Sequence, residues 1–389
     1  MAHIVRYCIS HLAGHETDVE HELNPDVNVF FGLNGSGKTS LLRILHSALN
    51  NDASLVLDVP FMCANVTIHS GDYEQDFTYT LDKRELRTRR QTPGGFAEVV
   101  DIDGERHIMK RRRRARWKVD PELPRKHRKW KHTYLPTSRL HFPTEPSEMI
   151  TFSERRVSPT EEPPLDYKFE AYLEHYWLDF FGEIQAEVRQ AQQGALVDVL
   201  RQVLATAEYV EGEQYTPPDW ETAYEEVVSF LKRQNPRARP PSKEDFGKRY
   251  AKSPLLRTVI RRIDQVERDV EQLMAPRTRL QKLVDRMFSG NKRLEWGETS
   301  VQVLADNQED IGLRALSSGE KHLLYILLHL TRSSRSAVVI DEPEISMHID
   351  WQRELIPAMR ELIPDAQIIA ATHSPEIMVH VEDSKIFNL

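Results

Sequence analysis

Cysteine is almost absent. Cys8 and Cys63 are the only two in 389 residues, which excludes a disulfide framework and any CxxC metal site. The expected compartment is therefore the reducing cytoplasm. No stretch approaches the ~20 uninterrupted apolar residues that a membrane helix needs, so no membrane association is expected. The opening residues, MAHIVRYCIS, lack the long apolar core and cleavage site of a signal peptide and read as a strand. No internal repeat is visible. Excess positive charge is missing too. The formal net charge is −8, so any nucleic-acid surface has to be a local patch.

What is present divides by texture. Residues 1–140 read as a strand-rich lobe. Val27-Asn28-Val29-Phe30-Phe31 is a β-type run ending in a glycine loop, and a helix follows through Leu45. Ala64–Ile68 and Phe77–Leu81 alternate as antiparallel strands with one wet face do. The Pro-rich stretch from Phe142 to Pro164 marks a boundary. Residues 141–292 then read as a helical insertion. Within it Val259, Ile263, Val266, Val270 and Leu273 recur at spacings of 4, 3, 4 and 3. This is the pattern of a short coiled-coil seam, or of an ordinary amphipathic helix, and it is expected to break at Pro276. Residues 293–389 return to strands, with Ala337–Ile340 buried and Gln367–Ala371 as the last strand. The expected fold is α/β: one core domain built around the glycine loop, with an antiparallel β-subdomain and an inserted helical lobe.

Gly32-Leu33-Asn34-Gly35-Ser36-Gly37-Lys38-Thr39 matches GxxxxGK[ST] between a predicted strand and a predicted helix. Glycines let backbone N–H groups turn inward around phosphates, and the helix start adds its positive dipole end. Asn34, Gly35, Ser36, Gly37, Lys38, Thr39 and Ser40 are the candidate ATP-binding residues. Lys38 would contact the β- and γ-phosphates, and Thr39 would hold Mg²⁺. The strand Ala337–Ile340 delivers Asp341 and Glu342 to the carboxyl edge of its sheet. Asp341 fits the second Mg²⁺ ligand and Glu342 the general base. The strand Gln367–Ala371 ends at Thr372-His373-Ser374, where His373 fits a γ-phosphate sensor.

Leu316-Ser317-Ser318-Gly319-Glu320 opens an apolar helix, as an anion site or an ordinary cap would. Taken with VIDEPE and ATHS, it resembles the signature of the ATP-binding-cassette (ABC) ATPases, in the branch of RecF, Rad50/SMC and the OLD ATPases. The resemblance covers about 140 N-terminal and 95 C-terminal residues, and the helical middle lies outside it. It implies a homo-oligomer, a dimer or larger, with ATP sites shared between subunits. Ser318 and Gly319 would contact the nucleotide of the other copy. Asp350, in Met347-His348-Ile349-Asp350, falls where the family has its D-loop. No glutamine stands at the usual Q-loop position. Leu135-Pro136-Thr137-Ser138-Arg139 is there instead, similar to the OLD-like branch, with Arg139 as a candidate.

One segment stands apart. From Lys110 to Lys131 cations are dense, with Trp117 and Trp130 among them. Three readings remain: DNA binding with base stacking, docking of an acidic protein, or a solvated loop. With no TOPRIM or HNH motif visible, the resemblance points to the ATPase halves of antiphage systems such as PARIS and Septu, regulating a separate nuclease effector. The alternative is a RecF-like DNA-repair ATPase. A transporter ATPase fits the split domain less well.

Overall fold

A computed structural model describes residues 2–84, 96–100, 106–110, 115–123, 129–137, 164–204, 219–234, 237–288 and 290–389. Of the predicted boundary at Phe142–Pro164, residues 142–163 lie outside them, as do Arg111–Arg114, Arg125, Lys126, Arg128 and Arg139. The chain divides into two compact units. One holds Met1–Leu173, Lys282–Glu295 and Gln302–Leu389, and the other Glu174–Gln281 and Trp296–Val301.

The first unit contains two five-stranded sheets. One is antiparallel, in the order β2 (Val19–Glu22), β1 (Ala2–Ser10), β4 (Cys63–Ser70), β5 (Gln75–Asp82), β8 (Lys118–Asp120). The other is parallel, in the order β14 (Ile386–Asn388), β3 (Val27–Phe31), β13 (Gln367–Thr372), β12 (Ala337–Asp341), β9 (His132–Leu135). β12 and β13 are buried along their whole length, as near-continuous apolar runs covered on both faces must be. Two further pairs are hairpins: β6 (Phe96–Val100) with β7 (Arg106–Lys110), and β10 (Lys292–Trp296) with β11 (Val301–Ala305).

Helix α1 (Lys38–Asn50) ties the sheets together. Its Leu41, Leu42, Ile44, Leu45 and Leu49 share one core with Ile4, Ile9, Val66, Ile68 and Tyr79 of the antiparallel sheet and Val339 and Ile369 of the parallel one. Each fully buried leucine contributes about 1.5–3 kcal/mol. A polar link adds register. Gln367, fully buried, accepts from the Ile4 N–H at 2.8 Å and donates to the carbonyls of Ile4 at 2.7 Å and Asn24 at 2.8 Å.

Trp117 and Trp130 belong to the same core, each 4% exposed. Their indole N–H groups donate to Ser47 Oγ at 2.9 Å and to the Tyr79 hydroxyl at 2.7 Å. The expectation that they stack on bases is therefore corrected. A tryptophan with its face packed and its N–H satisfied has no surface left for a base.

Four helices carry the middle of the chain: α2 (Leu165–Leu204), α3 (Trp220–Gln234), α4 (Lys243–Lys252) and α5 (Pro254–Met287). In the second unit a small core gathers Ala223, Phe246, Tyr250 and Ile260. Ser242 caps α4 by accepting from the Asp245 N–H. The seam residues Val259–Leu273 lie on α5, but the helix does not break at Pro276. Proline removes the bond to the carbonyl four residues back and crowds that carbonyl. That residue, Gln272, is exposed, so the carbonyl can tilt outward to solvent.

A further correction concerns the sheet edge. The strand expected at Gln367–Ala371 is not the last, because β14 pairs in parallel with β3 beyond it.

Candidate functional site

The phosphate loop runs from the end of β3 into α1. Gly35 and Gly37 have φ of +89° and +98°, a region that side chains with a Cβ rarely enter. Gly32 is fixed by crowding, since a Cβ there would lie 2.5 Å from the Leu389 carbonyl oxygen. Lys38 is buried, and its Nζ donates to the carbonyls of Gly32 at 2.7 Å and Leu33 at 3.0 Å. Asn34 and Gly35 are exposed at the loop's tip, while Ser36, Gly37 and Ser40 are half-buried. His15, which the sequence did not single out, braces the loop by donating from Nε2 to the Ser36 carbonyl at 3.0 Å.

Thr39 reaches across to the second motif. Its hydroxyl donates to Asp341 Oδ2 at 2.8 Å. Thr137, past the end of β9, donates to the same oxygen at 2.5 Å. Asp341 is 2% exposed, and its other oxygen, Oδ1, is buried without a hydrogen-bond partner among the described residues. Burial pushes its carboxyl above the usual range, against the pull of Thr137, Thr39 and the Lys38 ammonium. A buried carboxylate oxygen with no donor, next to a threonine hydroxyl, is the hard-oxygen pair that suits Mg²⁺. Among the described residues no group of three His, Cys, Asp or Glu could hold a metal alone. A cation at Thr39 and Asp341 would thus complete its shell from phosphate and water, as Mg²⁺ commonly does.

Glu342 follows Asp341 with φ +49°, which costs about 1–3 kcal/mol in a residue other than glycine. Its N–H donates to the Ala371 carbonyl at 2.8 Å, joining it to the end of β13. There His373 presents Nδ1 3.6 Å from Glu342 Oε1 and 3.2 Å from Glu344 Oε1. Parallel pairing of β3, β13 and β12 thus collects Lys38, Thr39, Asp341, Glu342 and His373 at one sheet edge.

The signature starts helix α6 (Ser318–Thr331). Ser317 and Glu320 form a reciprocal capping box, and Lys292 Nζ lies 3.1 Å from Glu320 Oε2. Burial works to raise the Glu320 carboxyl, but the bonds from Ser317 and Lys292 outweigh it and hold the group below the usual range. Ser318 is exposed, whereas Gly319 is buried. Asp350, in the first turn of α7 (Ile349–Leu362), is exposed beside His348, whose Nδ1 lies 3.2 Å from Asp350 Oδ2.

A family model described as "AAA domain, putative AbiEii toxin, Type IV TA system" matches residues 203–379. Among curated proteins, "Retron Ec83 probable ATPase" of Escherichia coli is 25% identical over 28% of this chain and 23% of its own length. "Septu protein PtuA" of Bacillus thuringiensis is 29% identical over 20% of this chain and 23% of its own length. The chain thus spans less than a quarter of these relatives. The Smc head domain of Pyrococcus furiosus aligns over 100% of this chain and 93% of its own, at 11% identity and a TM-score of 0.42. No helix among the described residues is long and apolar enough to cross a membrane. The phosphate loop, the acidic strand end and the start of α6 stand on one scaffold of paired sheets, in agreement with the resemblance of these motifs to the ABC-type ATPases.

Proposed function

We propose that this chain binds ATP with Mg²⁺ and hydrolyses it at sites shared between two copies of itself. The cycle regulates a separate effector, a nuclease, in antiphage defence. The supporting observation is the convergence at one sheet edge of Lys38 and Thr39 with Asp341, Glu342 and His373, residues up to 335 positions apart. The domain reading that goes with it is one nucleotide-binding domain, residues 1–140 and 293–389, interrupted by a helical insertion at 141–292.

In this mechanism Lys38 exchanges the carbonyls of Gly32 and Leu33 for β- and γ-phosphate oxygens. Backbone N–H groups of the loop and the dipole of α1 add to the anion site. Mg²⁺, held by Thr39 and Asp341, would neutralise phosphate charge. Glu342 takes a proton from the attacking water, and His373, beside it, holds the γ-phosphate side. Ser318, exposed at the start of α6, faces the second copy's nucleotide. The defence role is supported by the names of the matched relatives, a retron ATPase and a Septu protein.

The test is Glu342→Gln. It should retain ATP while turnover falls about 10²–10⁴-fold, the usual cost of losing a general base. Full turnover by this variant would reject the assignment. Purification from the native operon identifies the effector.

A second reading, binding of DNA, has its own observation. Residues 232–262 carry 11 Lys or Arg against 2 Asp or Glu. Arg239, Lys248, Arg249 and Lys252 are exposed there, with no ion-pair partner among the described residues. Changing these four to Gln should flatten the slope of log affinity for a labelled duplex against log salt by about 0.9 per lost contact. An unchanged slope would exclude this surface.

A further inference from the structure

Glu344 has no part in the mechanism above, yet its environment is more constrained than that of any group beside it. It is 4% exposed. Its Oε1 accepts from the Thr372 hydroxyl at 2.5 Å, the His373 N–H at 3.0 Å and the Ser374 N–H at 3.3 Å. The same oxygen lies 3.2 Å from His373 Nδ1. Its Oε2 is buried without a hydrogen-bond partner among the described residues. Leaving a buried carboxylate oxygen unsatisfied costs free energy that an apolar residue would avoid. A side chain needed only to fill this space would not be an acid.

The three donors belong to consecutive residues at the end of β13, where a strand has no ladder partner for its last N–H groups. Without an acceptor in this position, the chain after Thr372 keeps the bond from the Ser374 N–H to Thr372 Oγ1 at 2.9 Å but loses the one acceptor that the His373 N–H has among the described residues. The network continues. Ser374 Oγ donates to Gln352 Oε1 at 2.7 Å, and Gln352 Nε2 donates to the Met347 carbonyl at 3.0 Å. Met347 closes the turn that begins at Glu344, through its N–H to the Glu344 carbonyl at 3.0 Å. The carbonyl of Ser346 in that turn abuts Gly319 of the signature helix.

We propose that Glu344 is a positioning residue: as a hydrogen-bond acceptor it sets His373 against Glu342 and, by way of Ser374 and Gln352, holds the turn that meets the signature helix. The inference rests on the ATPase reading of the site. Glu344 acts through His373, on which its Oε1 bears directly.

Two substitutions separate acceptor from bulk. Glu344→Gln keeps an oxygen where Oε1 stands, and Glu344→Ala does not. In steady-state ATPase assays, Glu344→Ala should lose about 10–100-fold in kcat with KM for ATP nearly unchanged, the scale expected when a reacting group moves by about 1 Å. Glu344→Gln should restore most of kcat. Amide hydrogen exchange without nucleotide reads the same bonds independently of turnover. Exchange at His373 should rise in the alanine variant and stay low in the glutamine variant, while Ser374, whose N–H also donates to Thr372 Oγ1 at 2.9 Å, should change less. Should Glu344→Ala fail to fold, Gln352→Ala cuts the second link from a half-exposed position. It should lower kcat severalfold and speed exchange in the turn around Met347. Wild-type kcat in Glu344→Ala, or a glutamine variant as impaired as the alanine one, overturns the proposal. So does a Gln352→Ala protein unchanged in both kcat and exchange. A wild-type protein without turnover, yet with the expected exchange pattern, would instead remove the ATPase reading.

Discussion

The carbonyl oxygen of Ser346 occupies the space that a side chain on Gly319 would need: a Cβ built there lies 2.4 Å from it. Contacts that short do not occur, so the turn after β12 and the start of α6 meet only because residue 319 is glycine. Gly319→Ala must push the turn away or displace the helix. Overpacking of this kind costs about 1–3 kcal/mol. Thermal melts should show a lower Tm than wild type, and an unchanged Tm would mean the two segments part at no cost.

The sharing of sites between copies is tested by complementation. Lys38→Ala removes the cation of the phosphate loop and should abolish ATP binding, as measured by calorimetry. Ser318→Arg should leave binding but block the exposed helix start. Each variant alone should be inactive, and an exchanged mixture should recover part of the wild-type turnover, because one composite site is then intact. Mixed oligomers with no recovered activity would rule out the trans arrangement.

Acid should loosen the start of α6. The Glu320 carboxyl is held below its ordinary range in the fold. Its contribution is fully present above the unfolded-state pKa and is lost as pH falls through the folded value. Because the group is partly exposed, solvent screening keeps the effect modest. Wild type should therefore be more stable than Glu320→Gln near neutrality, with the gap closing as pH drops below the usual carboxylate range. A gap in Tm that does not change with pH would assign the effect to the hydrogen bond rather than the charge.

The legible parts of the site were those encoded in contiguous residues. The phosphate loop announces itself because Gly35 and Gly37 must take positive φ and Lys38 must follow them. Asp341 and Glu342 stand out because an apolar strand precedes them. Thr137 and Glu344 could not be read in the same way. A single threonine after a short strand, or a second acid in a run of acids, has no local pattern, and each acquires its partner only when β9, β12 and β13 align. Trp117 and Trp130 misled because their neighbours in sequence are cations, while their neighbours in space are Ser47 and Tyr79. The strand Ile386–Asn388 is too short for periodicity to register, and pairing with β3 alone defines it.

The order of strands in the parallel sheet has a consequence for how the protein is made. β3, which launches the phosphate loop, lies between β13 and β14, so a segment is clasped by two strands synthesised long after it. While the nascent chain is still on the ribosome, the apolar run Val27–Phe31 has neither neighbour, and Gln367 is not there to join Ile4 and Asn24. Such distant pairing is slow to form and leaves an open strand edge exposed while it waits. β3 therefore gains its sheet neighbours only after Gln367–Asn388 has cleared the exit tunnel, and substitutions that weaken β13 should reduce yield in the cell before they reduce the activity of the protein recovered.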